Sequence, residues 1–261
     1  MQGKRIPCRI KLFVPSASTI SEDMFNGRVL VITGAGVSAE SGIPTFRGKD
    51  GYWRNLDPTK LATPEAFAHD PNLVWDWYRE RRQRIRTAQP NPAHQAIAEL
   101  ADRAREFLLV TQNVDDLHRR AGLPSEKMVQ IHGDIFITHC SRCDFKRHEH
   151  DDDSLPKCPA CGALMRPGVV WFGEQLDLAK IGVVENFVTA DDCDLVIVAG
   201  TTGLFGYIID WALRARGRTG QLIEVNPEET SLSQFATKSF REPAGVALPR
   251  LVHELLSNIS A

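Results

Sequence analysis

Short apolar runs alternate with longer amphipathic segments along most of the chain. The runs are rich in β-branched and aliphatic residues, end in polar or glycine residues, and lie at 28–33, 107–111, 128–131, 194–199 and 221–225. Apolar positions follow a helical period at 93–106, 206–217 and 246–257. Continuous apolar strands that alternate with helices are typical of a parallel sheet covered on both faces. The pattern therefore predicts an α/β, Rossmann-like sheet domain, with ligands bound at the carboxyl ends of its strands.

Two segments interrupt this alternation. Residues 49–87 contain no clear strand, but their second half has the periodicity of a helix, and residues 136–170 contain two cysteine pairs. We expect both segments to form a smaller lobe. The predicted division is a tail at 1–26, a Rossmann-like domain at 27–48, 88–135 and 171–261, a helical insertion at 49–87 and a cysteine-bearing module at 136–170.

The cysteine pairs have the spacing of a metal site. Cys140 and Cys143, and Cys158 and Cys161, each form a C-x-x-C pair, and 14 residues separate the pairs. This spacing predicts a four-cysteine zinc ribbon with a closed, structural Zn²⁺ site, one ion per chain. Two disulfides are the alternative, which is disfavoured because nothing marks the chain as secreted.

The composition argues against some classes of partner, and the N-terminal residues bear on the cellular compartment. The net charge of −2 gives no global reason to expect a nucleic-acid or membrane partner. The N-terminal residues are mildly basic, but Lys11 and Pro15 interrupt any signal-peptide core. We therefore expect a cytoplasmic protein; Met24 as the natural start is left open.

The loop after the first strand, GAGVSAESGIPTFRG at 34–48, is unusual for a nucleotide loop. Gly34, Gly36 and Ala39 fit the fingerprint G-x-G-x-x-A, but Gly42 and Pro44 break the helix that should follow. The acidic residue that holds ribose in dehydrogenases has no counterpart at the end of a second strand. The loop can still hold a pyrophosphate through backbone N–H groups, whereas hydride transfer is poorly supported.

The order of the remaining motifs resembles that of a known protein family. After the glycine loop come TQNVDD at 111–116, the pair His132-Gly133, the cysteine pairs, RPGVVWFGE at 166–174 and GTT at 200–202. This series strongly resembles the sirtuin family of NAD-dependent protein-lysine deacylases over residues 27–256. The resemblance implies that NAD⁺ is consumed as a co-substrate and that the partners are proteins or peptides carrying acylated lysines.

The resemblance also implies a set of residues that bind NAD. Phosphate and adenosine contacts would come from Gly34, Ala35, Gly36, Ala39, Gly200, Thr201 and Thr202, the adenine ribose would meet Asn226 and Glu228, and Ala244 lies near the expected adenine contact. Gln112 and Asn113 would contact the nicotinamide ribose, and Asp115 the carboxamide. Phe46 would shield the sugar and Arg47 would contact phosphate. The alternatives are core packing for Phe46, a surface charge for Arg47, and helix capping for Asn113 and Asp115.

His132, with Asn113 beside it, is the implied catalytic residue. The acyl-lysine oxygen would attack the ribose carbon as nicotinamide leaves, and His132 would then take a proton from a ribose hydroxyl. A free histidine has a pKa of about 6.5, which suits a general base near neutral pH. The alternative is a structural histidine.

The peptide is expected to lie extended between the two lobes. Val169, Val170 and Phe172 on one side and residues 203–205 on the other would pair with it through main-chain hydrogen bonds. For Val169 and Val170 the alternative is a core strand.

Tyr78 and Arg81 stand three residues apart, so they share one face of a helix. They match the Y-x-x-R motif of class III sirtuins, which prefer negatively charged acyl groups, and Ala62 leaves room for a longer acyl chain. The alternative is a solvated basic face made of Arg79, Arg81, Arg82, Arg84 and Arg86.

Two departures from the family pattern, and other functions, stay open. GTT replaces the usual GTS, and GLFGYIID at 203–210 lacks the proline expected a few residues on. A desuccinylase and demalonylase is the favoured function. A plain deacetylase or a mono-ADP-ribosyltransferase is second, and a non-catalytic NAD-sensing or zinc-ribbon interaction protein is third. Intact His132, Asn113 and Asp115 argue against the third.

Overall fold

The structure, a computed structural model, describes residues 27–45, 57–148 and 154–257. Within them the strands are β1 (Arg28–Thr33), β2 (Glu106–Thr111), β3 (Met128–Gln130), β4 (Gly133–Cys140), β5 (Lys146–His148), β6 (Met165–Val169), β7 (Leu195–Ala199), β8 (Gln221–Val225) and β9 (Lys238–Phe240). The helices are α1 (Gly36–Ala39), α2 (Pro58–Leu61), α3 (Pro64–His69), α4 (Pro71–Thr87), α5 (Pro92–Arg103), α6 (Leu117–Arg120), α7 (Leu178–Ala190), α8 (Gly206–Arg216) and α9 (Ala244–Ser257).

Strands β3, β2, β1, β7, β8 and β9 form one parallel sheet in that order. The chain winds outward from β1 in one direction and then, from β7, in the other. Such a reversal opens a crevice at the carboxyl ends of the two central strands, and doubly wound folds bind nucleotides there. The predicted Rossmann-like sheet is therefore confirmed, with its crevice between β1 and β7.

Each central strand contributes to a hydrophobic core on both faces of the sheet. Val29 and Val31 pack with α5 and α9 on one face, whereas Leu30 and Ile32 pack with α7 and α8 on the other. All four side chains are fully buried. This burial explains why the sequence of β1 is continuously apolar and does not alternate.

The helical insertion begins its helices with a repeated local signal. Asp57, Thr63 and Asp70 accept hydrogen bonds from backbone N–H groups at the starts of α2, α3 and α4, each of which has proline in its first turn. Asn91 caps α5 in the same way, and its side-chain amide also donates to the carbonyl of Val37 at 2.8 Å. That bond fastens the start of α5 to α1 within the glycine loop.

The smaller lobe joins this insertion to an antiparallel sheet of β5, β4 and β6. Its sheet begins at Gly133, three residues before the predicted module boundary at 136. Gly133 has a φ of 92°, and a Cβ there would lie 2.2 Å from the carbonyl oxygen of Gly168. Glycine is therefore required where the chain passes from the large sheet to the small one.

Arg82 holds α4 against β4. Its side chain is fully buried, and it donates to the carbonyls of Ile135 at 2.7 Å and Ile137 at 3.2 Å and to the Thr138 hydroxyl at 2.9 Å. The solvated basic face considered for the arginines of this helix is therefore wrong for Arg82. Arg84 does lie in solvent, with a 3.3 Å ion pair to Glu80.

Among the described residues, no helix has the length and hydropathy that crossing a membrane requires. The cytoplasmic location stays a prediction.

Replacing Arg82 by Met should lower the free energy of unfolding by about 3 kcal/mol, because it leaves buried carbonyl and hydroxyl acceptors without their donor. Urea denaturation followed by circular dichroism measures this loss. Arg84→Met is the matched control on the same helix and should change stability by less than about 0.5 kcal/mol. Equal losses in both variants would contradict the assigned role of Arg82.

Candidate functional site

The glycine loop packs directly against the loop that follows β7. The N–H of Gly34 donates to the carbonyl of Ala199 at 3.0 Å, and that of Gly36 to the carbonyl of Gly200 at 2.9 Å. A Cβ at Gly34 or Gly36 would lie 2.8 or 2.7 Å from backbone atoms of Gly200. These two N–H groups are therefore used within the protein, and the binding of a pyrophosphate by other N–H groups of the loop stays a prediction. The glycines are needed because two backbones touch.

The predicted break in the helix after this loop is confirmed. Helix α1 has four residues, and Gly42 follows with a φ of 82°. Phe46 and Arg47 lie outside the described residues, so their roles stay predictions.

Four strand ends are joined by hydrogen bonds across the crevice. The Gln112 amide, after β2, donates to the Thr201 hydroxyl at 2.9 Å and to the carbonyl of Thr33 at 3.2 Å. The Asn226 amide, after β8, donates to the carbonyl of Thr201 at 2.7 Å. Gln112, Thr201 and Asn226 are thus brought together, as expected for one nucleotide site.

Asn113 and Asp115 meet at a residue that the sequence reading missed. The Asn113 amide donates to the Ser38 hydroxyl at 3.0 Å, and Ser38 donates to the Asp115 carboxylate at 2.9 Å. Burial raises the pKa of Asp115, and the N–H of Leu117, which its other oxygen accepts at 3.1 Å, opposes that shift. Asp115 therefore also performs the capping role that had been left open. Ser38 lies two residues after Gly36, and this position was the only available signal for it.

Behind this group lie two buried histidines that the chain keeps neutral. The ring centroids of His94 and His118 are 4.7 Å apart, and His94 Nε2 lies 3.4 Å from the Ser38 hydroxyl. Burial lowers the pKa of His94 to about 4 and that of His118 well below its usual range. His94 thus contacts Ser38, whereas His118 Nε2 lies 3.2 Å from the Thr33 hydroxyl at the end of β1.

The remaining predicted NAD contacts differ in how exposed they are. Ala39 and Glu228 are exposed, and Thr202 is half-buried at the mouth of the loop after β7. Ala35 is half-buried in the glycine loop, whereas Ala244 is buried at the start of α9 and packs in the core. Their contacts with NAD stay predictions.

His132 lies where the large sheet passes into the small one, between the end of β3 and the start of β4. Its Nδ1 is 3.1 Å from the carbonyl oxygen of Gln112, and its Nε2 is 2.7 Å from the Tyr207 hydroxyl. Burial lowers the pKa of His132 to about 4, and the charge of Lys180 acts in the same direction. The expected value near 6.5 is therefore wrong, because the imidazole is largely removed from water.

Tyr207 was not predicted as a site residue. The only signal for it was the missing proline in GLFGYIID.

Two of the predicted acyl residues, Ala62 and Tyr78, lie in a buried hydrophobic cluster with Trp75, Trp77 and Trp171. Tyr78 is 3% exposed, and its hydroxyl accepts a 2.9 Å hydrogen bond from the Trp171 indole. Burial raises the pKa of Tyr78 to about 12. The Arg81 guanidinium lies 5.0 Å above the Trp77 ring. Burial lowers the pKa of Arg81, and Tyr78 and Asp115 oppose that shift.

The main-chain N–H groups of the segment expected to bind the peptide donate to acceptors within the protein. Val170 donates to the carbonyl of His132 at 2.8 Å, Trp171 to the Glu174 carboxylate at 2.8 Å, and Phe172 to the carbonyl of Ala62 at 2.9 Å. In this conformation these three N–H groups are used within the protein, and the expected main-chain pairing of the segment with a peptide stays a prediction. Val169 pairs with Gly133 as part of β6, so its strand alternative is correct. The Phe172 side chain is 40% exposed.

The four cysteines converge on one point. Their Sγ atoms lie within 4.8 Å of one another, at 3.5 Å for Cys140 and Cys161 and 3.6 Å for Cys143 and Cys158. Ligands about 2.3 Å from a tetrahedral zinc ion are about 3.8 Å apart, whereas a disulfide needs about 2.05 Å. All four are free thiols, so the set fits a closed structural zinc site and not two disulfides.

A doubly wound sheet, a crevice lined by glycine and amide residues, and a four-cysteine lobe beside a histidine define a nucleotide-binding α/β protein of bilobal type. The sequence pattern of the Sir2 family matches residues 34–204, and the chain belongs to that family. An NAD-dependent protein deacylase of Pyrococcus abyssi (strain GE5 / Orsay) is 46% identical over 236 residues, which cover 87% of this chain and 92% of that protein.

A second relative and a solved structure agree. The NAD-dependent protein deacylase of Aquifex aeolicus (strain VF5) is 43% identical over 231 residues, covering 87% of this chain and 95% of that protein. The crystal structure of a Sir2 homologue in complex with NAD has a TM-score of 0.82 at 42% identity, covering 90% of this chain and 92% of that one. The resemblance to sirtuins is confirmed.

The purified protein should contain about one zinc ion per chain by elemental analysis, and Cys158→Ser should contain less than about a tenth of that, because the tetrahedral set loses a thiolate. Cys193→Ser is the matched control, since Cys193 is equally buried but lies outside the cluster. Zinc retained in Cys158→Ser, or lost from the control, would contradict the assignment.

Proposed function

We propose that the chain removes succinyl and malonyl groups, and acetyl groups less efficiently, from lysine side chains of proteins. As a member of the Sir2 family it is an NAD-dependent protein deacylase, and the proposal concerns its acyl preference and the roles of its residues. The products are nicotinamide, O-acyl-ADP-ribose and free lysine. The observation that carries the preference is the Arg81 guanidinium, which lies 5.0 Å above the Trp77 ring and whose pKa is affected by both Tyr78 and Asp115.

The crevice between β1 and β7 is the proposed NAD site. Gln112, Thr201 and Asn226 join its strand ends, and the solved Sir2 homologue with NAD supports the same use of the crevice. Asn113 donates to Ser38, so its amide oxygen is the end that can accept a hydrogen bond from a ribose hydroxyl. Bound NAD supplies an electrophilic ribose carbon when nicotinamide leaves.

His132 is the proposed general base. Gln112 offers a carbonyl oxygen, which can only accept, so Nδ1 carries the proton and Nε2 holds the basic lone pair. Because the pKa of His132 is about 4, the imidazole is neutral at pH 7 and ready to take a proton from a ribose hydroxyl. Asn113 and His132 both adjoin Gln112, which supports their action on one sugar.

The surroundings of Arg81 suit an acyl group that ends in a carboxylate better than one that ends in a methyl group. Burial lowers the pKa of Arg81, and Tyr78 and Asp115 oppose that shift. A succinyl or malonyl carboxylate would accept charge-assisted hydrogen bonds from the guanidinium, which a neutral acetyl group cannot do. Ala62, 6% exposed, lies in the same buried cluster as Tyr78 and contributes only a methyl group to it.

A plain deacetylase remains the second candidate. The Tyr78 hydroxyl already accepts from Trp171, so it has only its own proton to offer an acyl group. A solved Sir2 protein in complex with a p53 peptide and NAD⁺, 29% identical with a TM-score of 0.76, supports peptides as the substrate class without fixing the acyl group.

Arg81→Met should lower kcat/KM for a succinyl-lysine peptide by about ten- to a hundredfold, because a charge-assisted hydrogen bond of about 1.5–3 kcal/mol is lost. Turnover of the matching acetyl-lysine peptide should change by less than about threefold. Nicotinamide release measures both rates. Arg84→Met, an exposed arginine on the same helix, is the control. An equal loss on both peptides would remove Arg81 from acyl recognition.

The pH dependence of kcat/KM for NAD should report a base with a pKa of about 4. At pH 5 such a base stays about nine-tenths neutral, whereas an ordinary histidine would retain only about 3% of its neutral form. We therefore expect nearly full kcat/KM at pH 5, provided that circular dichroism reports an intact fold there. His132→Asn should lower turnover by about a hundredfold or more. A tenfold decline between pH 7 and pH 5 would contradict this role.

A further inference from the structure

The basic nitrogen of His132 is already occupied in this structure. Since the Gln112 carbonyl takes the Nδ1 proton, Nε2 has one lone pair in the ring plane, and the Tyr207 hydroxyl lies 2.7 Å from it. Burial raises the pKa of Tyr207 to about 12, so the phenol keeps its proton at neutral pH and donates it. A neutral imidazole nitrogen accepts one such hydrogen bond. A ribose hydroxyl and Tyr207 therefore compete for the same lone pair.

Aromatic neighbours hold Tyr207 in this position. Tyr207 is in the first turn of α8, its ring stacks on Phe205 at 5.5 Å, and its other side contacts Trp211 at 5.0 Å. Phe205 also meets the His132 ring edge-on at 5.6 Å. Trp211 is 3% exposed, but Phe205 is 39% exposed, so the stack is fixed on the helix side and open toward solvent. The phenol can therefore swing outward with Phe205 while α8 stays in place.

We propose that Tyr207 is an internal competitor that occupies His132 Nε2 until a ribose hydroxyl of the nucleotide displaces it. The inference rests on the proposed role of His132 as the base. Tyr207 acts through His132. It keeps the imidazole of the free enzyme in the tautomer with hydrogen on Nδ1. It also weakens nucleotide binding by the free energy of one neutral hydrogen bond. Tyr207 makes and breaks no covalent bond in the reaction.

The test is ADP-ribose binding, which needs no turnover and no acyl-lysine. Tyr207→Phe removes only the hydroxyl and keeps the ring, so the stack with Phe205 and Trp211 is retained. We expect its Kd for ADP-ribose, measured by calorimetry, to fall about two- to tenfold, because the ligand no longer has to break a neutral hydrogen bond.

A double-mutant cycle with His132→Asn separates the competitor role from a general effect on the fold. In the His132→Asn background, Tyr207→Phe should leave the Kd for ADP-ribose unchanged within about twofold. An unchanged or raised Kd for Tyr207→Phe alone, or an equal fall in both backgrounds, would overturn the proposal. If His132→Asn itself leaves the Kd unchanged, the base does not contact the sugar, and the proposed function fails with it.

A spectroscopic readout checks the same contact in the free protein. In ¹⁵N-resolved NMR, His132 should show the Nδ1–H tautomer, and Tyr207→Phe should raise the pKa of His132, because a donor to Nε2 favours the neutral ring. The Gln112 carbonyl and the charge of Lys180, which also face His132 from the loop after β2 and from α7, are the same in both proteins. An unchanged pKa would contradict a hydrogen bond from Tyr207 to the base.

Discussion

The site depends on the contact between two backbones at the centre of the large sheet. The loop after β1 and the loop after β7 approach so closely that a methyl group on Gly34 or Gly36 would overlap Gly200. Because the strand order reverses between β1 and β7, this contact closes the base of the crevice. Thr201, the next residue, then anchors Gln112 from β2 and Asn226 from β8, so one close approach brings four strand ends into register.

The smaller lobe brings a second set of groups to this crevice, and its connection explains the place of His132. The chain leaves the large sheet after β3, passes through His132 and enters the small sheet at Gly133, a position that tolerates only glycine. Arg82 fixes α4 to β4, and the cysteine cluster closes the far end of that sheet. The rigidity of the small lobe therefore holds the histidine at the junction of the two sheets.

Burial, more than ion pairing, sets the chemistry of the ionisable groups around the site. It is the first cause of the lowered pKa values of His132 and Arg81 and of the raised values of Asp115 and Tyr207. Each of these groups is thereby shifted toward its neutral form. A neutral base, a protonated phenol and a guanidinium are together suited to bind a hydroxyl and a carboxylate. The histidine lies between β3 and β4, the phenol in α8 and the guanidinium in α4, so no local motif could have revealed the shared cause.

The sequence by itself determined five of the six strands of the large sheet and their parallel arrangement, the zinc-type cysteine set, the early end of α1 and the family. These follow from local periodicity, from fixed spacing and from glycine and proline geometry, which act over a few residues. Only the tertiary structure decided that Gly36 serves a backbone contact, that Ser38 joins Asn113 to Asp115, that Arg82 is buried while Arg84 is not, and that Tyr207 meets His132. Those outcomes depend on contacts between residues 75 or more positions apart, or on how deeply a side chain lies beneath another element. Neither leaves a local signature in the sequence.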